Sequence, residues 1–148
     1  MRWPRRNNRT FIVQSDGALA GSGSRAGLGV LVRDDHGRIV RWISRSAKGM
    51  TNNEAEYAAL CLALETLAEE KPRAIHVYSD SEVVVYQMQG RFQVNSPDLR
   101  RWHRRACQLA RRIPLVTYTH IPRERNQLAD ALANEALQPA LPQPIGDQ

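Results

Sequence analysis

Lysine is nearly absent from this strongly basic sequence. Only Lys48 and Lys71 occur, so arginine carries almost all of the positive charge behind the formal net charge of +6. Guanidinium groups suit bidentate contacts with phosphate. A solvated basic surface, or a genome biased towards arginine codons, would explain the same composition. Charge alone therefore permits nucleic-acid binding without establishing it.

Cysteine and long apolar runs are also scarce. Cys61 and Cys107 stand far apart in apolar periodic segments, which argues against a zinc site or a disulfide framework and favours buried thiols in a reducing compartment. No apolar run approaches the length of a membrane span, and the stretch after Arg5-Arg6 lacks the apolar segment of an export signal. We therefore expect a cytoplasmic protein, a monomer without a membrane partner.

The hydrophobic periodicity predicts one α/β domain. We expect a flexible basic segment at 1–9, a folded domain at 10–137 and a flexible proline-rich tail at 138–148. Strands are predicted at 10–16, 27–33, 38–44, 74–79 and 115–120. Helices are predicted at 53–70, 81–89, 98–112 and 127–137, the last capped by Asn126. This order indicates a five-stranded mixed sheet, three antiparallel strands followed by two parallel ones, flanked by helices.

Four carboxylates occupy unusual positions in this pattern. Asp16 follows the first predicted strand and Asp80 follows the fourth. If those two strands pair, the gap between their ends is a topological switch point, where ligands bind in open α/β sheets. Glu56 and Asp130 lie on the apolar stripes of their helices, and no lysine or arginine shares those stripes. An inward-facing charge needs a compensating partner.

Each carboxylate also has a simpler explanation of its own. The four alternatives are a turn at Asp16-Gly17, a capping box between Asn53 and Glu56, a helix cap from Asp80 or Ser81, and a helix-dipole interaction of Asp130. Together they do not explain two inward-facing carboxylates without a basic partner. Magnesium or manganese, hard cations that prefer oxygen ligands, would solve the charge problem. Four negative charges balance two such ions, and two ions suit phosphodiester cleavage.

Four segments, in the right order, resemble the signature segments of type 1 ribonuclease H. They are Ser15-Asp16-Gly17-Ala18, the stretch from Thr51 to Tyr57, Tyr78-Ser79-Asp80-Ser81, and the stretch from His120 to Asp130. The resemblance covers nearly all of 10–137. It implies a ribonuclease H-like fold and endonucleolytic hydrolysis of the RNA strand of RNA/DNA hybrids by a two-metal-ion mechanism, leaving 5′-phosphate and 3′-hydroxyl ends.

The resemblance also assigns roles to residues. Asp16, Glu56, Asp80 and Asp130 match the family's catalytic metal-binding quartet, which implies two Mg²⁺ ions with Mn²⁺ as a substitute. His120 matches a histidine on a mobile loop that assists proton transfer or product release. The expected substrate contacts are Thr51 and Asn52, which match positions that contact the nucleic-acid strands, together with Gly17 beside Asp16.

Two departures from the family pattern concern substrate contacts. Ser22 stands where the family has an asparagine, so we expect a substrate contact there, with Arg25 as a weaker phosphate contact. The basic protrusion of some members is absent, since only residues 91–97 separate two predicted helices. We expect the arginines of the third helix to hold the hybrid's backbone in its place, although a solvated helix face explains them equally well. These arginines are Arg100, Arg101, Arg104, Arg105, Arg111 and Arg112.

Two other functions fit parts of the sequence. A nuclease of the same fold that acts on DNA would keep the carboxylates, but the His120 and Thr51-Asn52-Asn53 segments favour the hybrid nuclease. A noncatalytic nucleic-acid-binding module would not need all four carboxylates, and all four are present.

Overall fold

A computed structural model describes residues 8–139 of the chain. Most of both predicted tails, at 1–7 and 140–148, lies outside the described residues. Within the described range, no helix combines the length and the apolar character needed to cross a membrane.

The described residues form five strands and four α-helices. The strands are β1 (Thr10–Leu19), β2 (Arg25–Arg33), β3 (Ile39–Lys48), β4 (Ala74–Ser79) and β5 (Leu115–His120). The helices are α1 (Asn52–Ala68), α2 (Glu82–Met88), α3 (Pro97–Ala110) and α4 (Gln127–Glu135), with a 3-10 turn at Arg123–Arg125 before α4. The bounds of β4 and β5 match the prediction, whereas β1 and β3 continue beyond it because the pairing of each with β2 extends to its last residue, Leu19 and Lys48 respectively.

The sheet has the strand order β3-β2-β1-β4-β5. The first three strands pair antiparallel, and β4 pairs parallel with both β1 and β5. The predicted five-stranded mixed sheet is therefore confirmed. Strand β1 lies where the sheet changes from antiparallel to parallel, and this change produces the predicted switch point beside its end.

Helix α1 is buried between the sheet and α3. It is apolar around most of its circumference, as a fully enclosed helix should be, and Leu60 and Leu64 pack against Phe11, Val13 and Ile75 of the sheet. Helix α3 covers its outer side with the predicted apolar face, of which Ala106 is fully buried. Cys61 is buried and Cys107 half-buried, and neither forms a disulfide within residues 8–139. Helix α1 therefore forms the centre of the core.

Helix α4 lies on the opposite face of the sheet and approaches β2 very closely. A Cβ atom placed on Gly29 would lie 2.1 Å from the carbonyl oxygen of Ala129, and one on Gly27 would lie 1.9 Å from that of Ala133. Only glycine leaves room for the helix backbone at these two positions. This contact carries the start of α4, and Asp130 with it, towards Asp16.

We expect Gly29→Ala to destabilise the protein by roughly 2–3 kcal/mol, because the new methyl group must push α4 away from β2. Urea denaturation measures the change. Gly21→Ala is the matched control, since no atom lies within 4 Å of a Cβ there, and we expect it to be nearly neutral. Equal stability of the two variants would contradict the close contact.

Candidate active site

Asp16 lies inside β1, opposite Gly29 of β2, so its predicted position after the strand is wrong. The strand continues because its antiparallel ladder with β2 extends to Leu19. On the other side, the parallel pairing of β1 with β4 ends at Gln14. Asp16 therefore lies beyond the last pair with β4, where its buried carboxylate, 6% exposed, enters the crevice at the switch point.

Glu56 reaches this crevice from the second turn of α1. The capping box of α1 is formed by Thr51 and Glu54, not by Glu56, so this simpler explanation of Glu56 is wrong. The backbone N–H of Gly17 donates a hydrogen bond to Glu56 Oε1 at 2.8 Å. A Cβ atom on Gly17 would lie 2.4 Å from the carbonyl carbon of Ala55, so glycine is needed for the approach of α1 to β1.

Asp80 directly follows β4, and a buried asparagine holds its carboxylate. Asn126 Nδ2 donates to Asp80 Oδ1 and to the carbonyl oxygen of Ser15, both at 3.0 Å. The N-cap of α2 is Ser81, which accepts from the N–H of Val84 at 3.2 Å, so Asp80 is not needed as a cap.

The predicted capping of α4 by Asn126 is also wrong. Asn126 stands at the N-cap position, but its side chain makes no capping hydrogen bond. It is 1% exposed, and a buried amide needs partners. The nearest acceptors belong to β1 and to Asp80, so the side chain ties β1 to Asp80 instead.

Asp130 lies in the first turn of α4 and is half-buried. Asn134, one turn later, donates from Nδ2 to Asp130 Oδ1 at 3.2 Å. Three of the four carboxylates are therefore oriented by a neutral N–H donor: Glu56 by Gly17, Asp80 by Asn126 and Asp130 by Asn134.

The four carboxylates line one cavity of about 430 Å³. An oxygen of Asp16, one of Glu56 and one of Asp80 lie within 4.8 Å of one another. Asp130 lies outside this tight group but lines the same cavity. The other lining residues are Gly17, Ala18, Leu19, Asn52, Arg123 and Asn134.

Within residues 8–139, no lysine or arginine compensates the charge by a direct ion pair. Among residues 8–139, the observed salt bridges involve none of the four carboxylates. Burial, followed by the charge of Glu56, raises the pKa of Asp16 far above its ordinary value. Burial also raises the pKa of Glu56, to about 7. Clustered oxygen ligands without a basic partner fit a hard divalent cation such as Mg²⁺ or Mn²⁺.

The predicted substrate contacts divide into two groups. Asn52 and Gly17 line the acidic cavity. Thr51 is exposed, and its side chain takes part in the capping box of α1. Ser22 is exposed in the turn between β1 and β2, where its hydroxyl lies 2.7 Å from that of Ser24, and Arg25 donates to the carbonyl of Leu137. The structure brings neither Ser22 nor Thr51 into the cavity lining.

His120 is the last residue of β5, as the predicted strand at 115–120 has it, and not on the loop that the family resemblance implies. Parallel pairing with β4 extends to Ser79 and His120 and includes the histidine in the sheet. Its ring lies 5.9 Å from the ring of Tyr86, measured between centroids. His120 is thus next to the strand that carries Asp80, although it does not line the cavity.

Sequence reasoning missed Asn134 and Arg123 and misjudged Asn126. Asn134 stands four residues after Asp130. That spacing places it beside Asp130 on a helix, so this contact was readable. Arg123 had no such signal, because its place at the cavity depends on the path of the 3-10 turn.

The fold and the acidic cavity define a nuclease-like α/β domain, and the family model described as "Reverse transcriptase-like" matches residues 14–136. The chain is 41% identical over 125 residues to the ribonuclease HI of Halobacterium salinarum, covering 84% of this chain and 63% of that protein. It therefore belongs to the type 1 ribonuclease H family. The chain spans only 36% of the length of another curated relative, a Mycobacterium tuberculosis protein.

Solved structures agree with this assignment. The crystal structure of Halobacterium salinarum ribonuclease H1 superposes with a TM-score of 0.83 at 39% identity, covering 86% of this chain and 97% of that one. The structure of LC11 ribonuclease H1, isolated from compost, in complex with an RNA/DNA hybrid superposes with a TM-score of 0.80 at 37% identity, covering 85% and 95%.

The raised pKa values predict how pH affects the metal-free protein. Because folding raises these pKa values, the folded state holds more protons than the unfolded state above about pH 4, and the free energy of unfolding falls as pH rises through 7. Asp16→Asn removes the most buried charge of the cluster. We expect it to increase the free energy of unfolding at pH 8 by roughly 1–3 kcal/mol in EDTA, with little change at pH 4.

Urea denaturation at the two pH values measures this difference. Asp35→Asn makes the same charge change at an exposed turn and should leave the pH dependence unaltered. If Asp16→Asn lowers stability at pH 8, the carboxylate cluster is not repulsive in the absence of metal.

The contacts of Asn126 predict a separate effect on cation binding. We expect Asn126→Ala to weaken Mg²⁺ binding about 10- to 100-fold, since an unsupported ligand loses its orientation. Titration calorimetry with Mg²⁺ alone measures the affinity. Gln127→Ala, at the exposed neighbouring position, is the control. Unchanged affinity in Asn126→Ala would show that Asp80 does not need this support.

Proposed function

We propose that this protein hydrolyses the RNA strand of RNA/DNA hybrids endonucleolytically, leaving 5′-phosphate and 3′-hydroxyl ends. One observation carries the proposal: four carboxylates surround one cavity, no basic residue within 8–139 forms an ion pair with them, and neutral donors orient three of them. Membership of the type 1 ribonuclease H family supports the choice of substrate. The hybrid bound to LC11 ribonuclease H1 supports it further.

The cofactor in this proposal is a pair of Mg²⁺ ions, with Mn²⁺ as a substitute, held by Asp16, Glu56, Asp80 and Asp130. When bound, such ions activate the attacking water and stabilise the leaving oxygen. The charge balance supports two ions, because four carboxylates supply four negative charges.

Hydrogen bonds within the protein orient the carboxylates that would bind the metal ions. The N–H of Gly17 donates a hydrogen bond to Oε1 of Glu56, and Asn126 Nδ2 donates one to Oδ1 of Asp80. Each contact leaves the second carboxylate oxygen available to a cation. Because the donors are neutral, they orient the carboxylates without cancelling the charge that attracts the metal.

The surroundings of the cavity supply the remaining roles. Asn52, exposed at the cavity, offers an amide to a ribose 2′-hydroxyl, the group that distinguishes RNA from DNA. Thr51 and Ser22 are proposed as outer contacts of the nucleic-acid strands. His120, beside the strand of Asp80, is proposed to assist proton transfer or product release. We propose that the protein acts as a monomer in the cytoplasm.

A gel assay with 5′-labelled substrates tests the function. With Mg²⁺, we expect cleavage of the RNA strand of a hybrid, and little cleavage of duplex DNA or duplex RNA of the same sequence. EDTA should abolish the activity. Asp80→Asn should lower kcat on the order of a hundredfold or more, because a metal ligand supports several kcal/mol of transition-state stabilisation.

Asp35→Asn, the same substitution at an exposed turn, is the control variant and should keep full activity. Preferential cutting of duplex DNA would contradict the choice of substrate. Full activity of Asp80→Asn would contradict the catalytic role of the carboxylate cluster.

A further inference from the structure

Three Arg-Arg pairs lie in α3 and in the turn that follows it. They begin at Arg100, Arg104 and Arg111, so successive pairs are four and seven residues apart. At 3.6 residues per turn, this spacing aligns the first members of the pairs in one row along the helix. The second members, Arg101, Arg105 and Arg112, form another row about 100° further around the helix.

Acidic residues neutralise the second row. Arg105 pairs with Glu65 of α1 at 3.2 Å, and Arg112 pairs with Glu69 at 3.1 Å. Arg101 forms an ion pair with Asp98, one turn earlier in α3. We call Arg101, Arg105 and Arg112 the paired row, because its charges already have partners within the protein.

The first row has no such partners. Among residues 8–139, no carboxylate forms an ion pair with Arg100, Arg104 or Arg111. Arg100 donates only to the carbonyl oxygen of Val94, at 2.9 Å. All three side chains are exposed. We call these three residues the open row.

The open row borders a groove with a positive lining. The groove measures about 440 Å³. Its lining contains no carboxylate and consists of Arg100, His103, Arg104, Cys107, Gln108 and Arg111. A groove of this composition fits an anionic partner, and planar guanidinium groups suit phosphate in particular.

The open row starts at the same end of α1 as the acidic cavity. Trp102 Nε1 donates to Glu54 Oε2 at 3.1 Å, and Glu54 lies two residues before Glu56. The ion pairs to Glu65 and Glu69 show that α3 then runs alongside α1 in the same direction. From Arg100 to Arg111 the row extends about 16 Å, at 1.5 Å per residue.

We propose that the open row binds the phosphodiester backbone of the hybrid outside the cleavage site. This inference rests on the proposed function and adds a second contact region to it. A row of about 16 Å is long enough to contact several successive phosphates of one strand. The row thus supplies a backbone contact in a chain that has no basic protrusion between α2 and α3.

The test compares two double variants with the same change in net charge. Arg104→Gln with Arg111→Gln removes two arginines of the open row, and Arg105→Gln with Arg112→Gln removes two of the paired row. Fluorescence anisotropy with a labelled 24-base-pair hybrid, in EDTA at several NaCl concentrations, gives the affinity and its salt dependence without cleavage.

We expect the open-row variant to bind about tenfold more weakly at low salt. Its slope of log K against log[NaCl] should be shallower by about 2, since each lost phosphate contact removes close to one unit. The paired-row variant should stay within about twofold of the unmodified protein. In cleavage assays with Mg²⁺ over a range of hybrid concentrations, the open-row variant should have a higher KM than the unmodified protein and the same kcat.

Equal salt slopes in the two variants, or an unchanged slope in the open-row variant, would overturn the proposal. A lowered kcat with an unchanged KM would also overturn it. Urea denaturation of both variants separates lost binding from lost folding. The failure of the unmodified protein to cleave any hybrid would contradict the proposed function instead, and the cleavage gel detects that outcome separately.

Discussion

The hydrogen bond from Gly17 N–H to Glu56 Oε1 joins the strand at the switch point to the helix at the centre of the core. It forms only because position 17 has no side chain to keep α1 away from β1. The same short segment of β1 contributes the Asp16 carboxylate, and the carbonyl of Ser15 accepts from Asn126. Three consecutive residues, 15–17, therefore hold together the parts of the acidic cavity that come from α1, β4 and the start of α4.

This arrangement opposes folding in the absence of a cation. Burial and mutual repulsion raise the pKa values of Asp16 and Glu56, so the metal-free protein must either take up protons or tolerate the repulsion. Basic side chains in ion pairs would relieve the repulsion, but they would also compete with a metal for the carboxylate oxygens. The neutral amides of Asn126 and Asn134 fix geometry and leave the charge in place. The buried packing around α1 supplies the stability that this cluster removes.

Periodicity predicted the sheet well because the buried strands and α1 carry continuous apolar patterns that do not depend on distant residues. The ranges of β4 and β5 and the inward position of Glu56 follow from such local patterns. The extension of β1 past Asp16 has a different cause, since the end of β1 depends on pairing with β2. The role of Asn126 depends on Ser15 and Asp80, which are 111 and 46 residues away in the sequence. No local pattern encodes contacts of that range.

Helix α1 connects the two charge systems of the molecule. Its N-terminal part presents Glu56 to the acidic cavity, while Glu65 and Glu69 further along it bind Arg105 and Arg112 of the paired row. Arg101, the third member of that row, is held by Asp98 within α3 instead. The exposed ion pairs to α1 contribute little stability individually. They nevertheless constrain the rotation of α3 about its axis, because with Arg105 and Arg112 held by α1, Arg104 and Arg111 must point away from it. The acidic residues of α1 therefore determine that Arg104 and Arg111 remain available to a polyanion, and the same helix carries the carboxylate that such a polyanion would meet at the cavity.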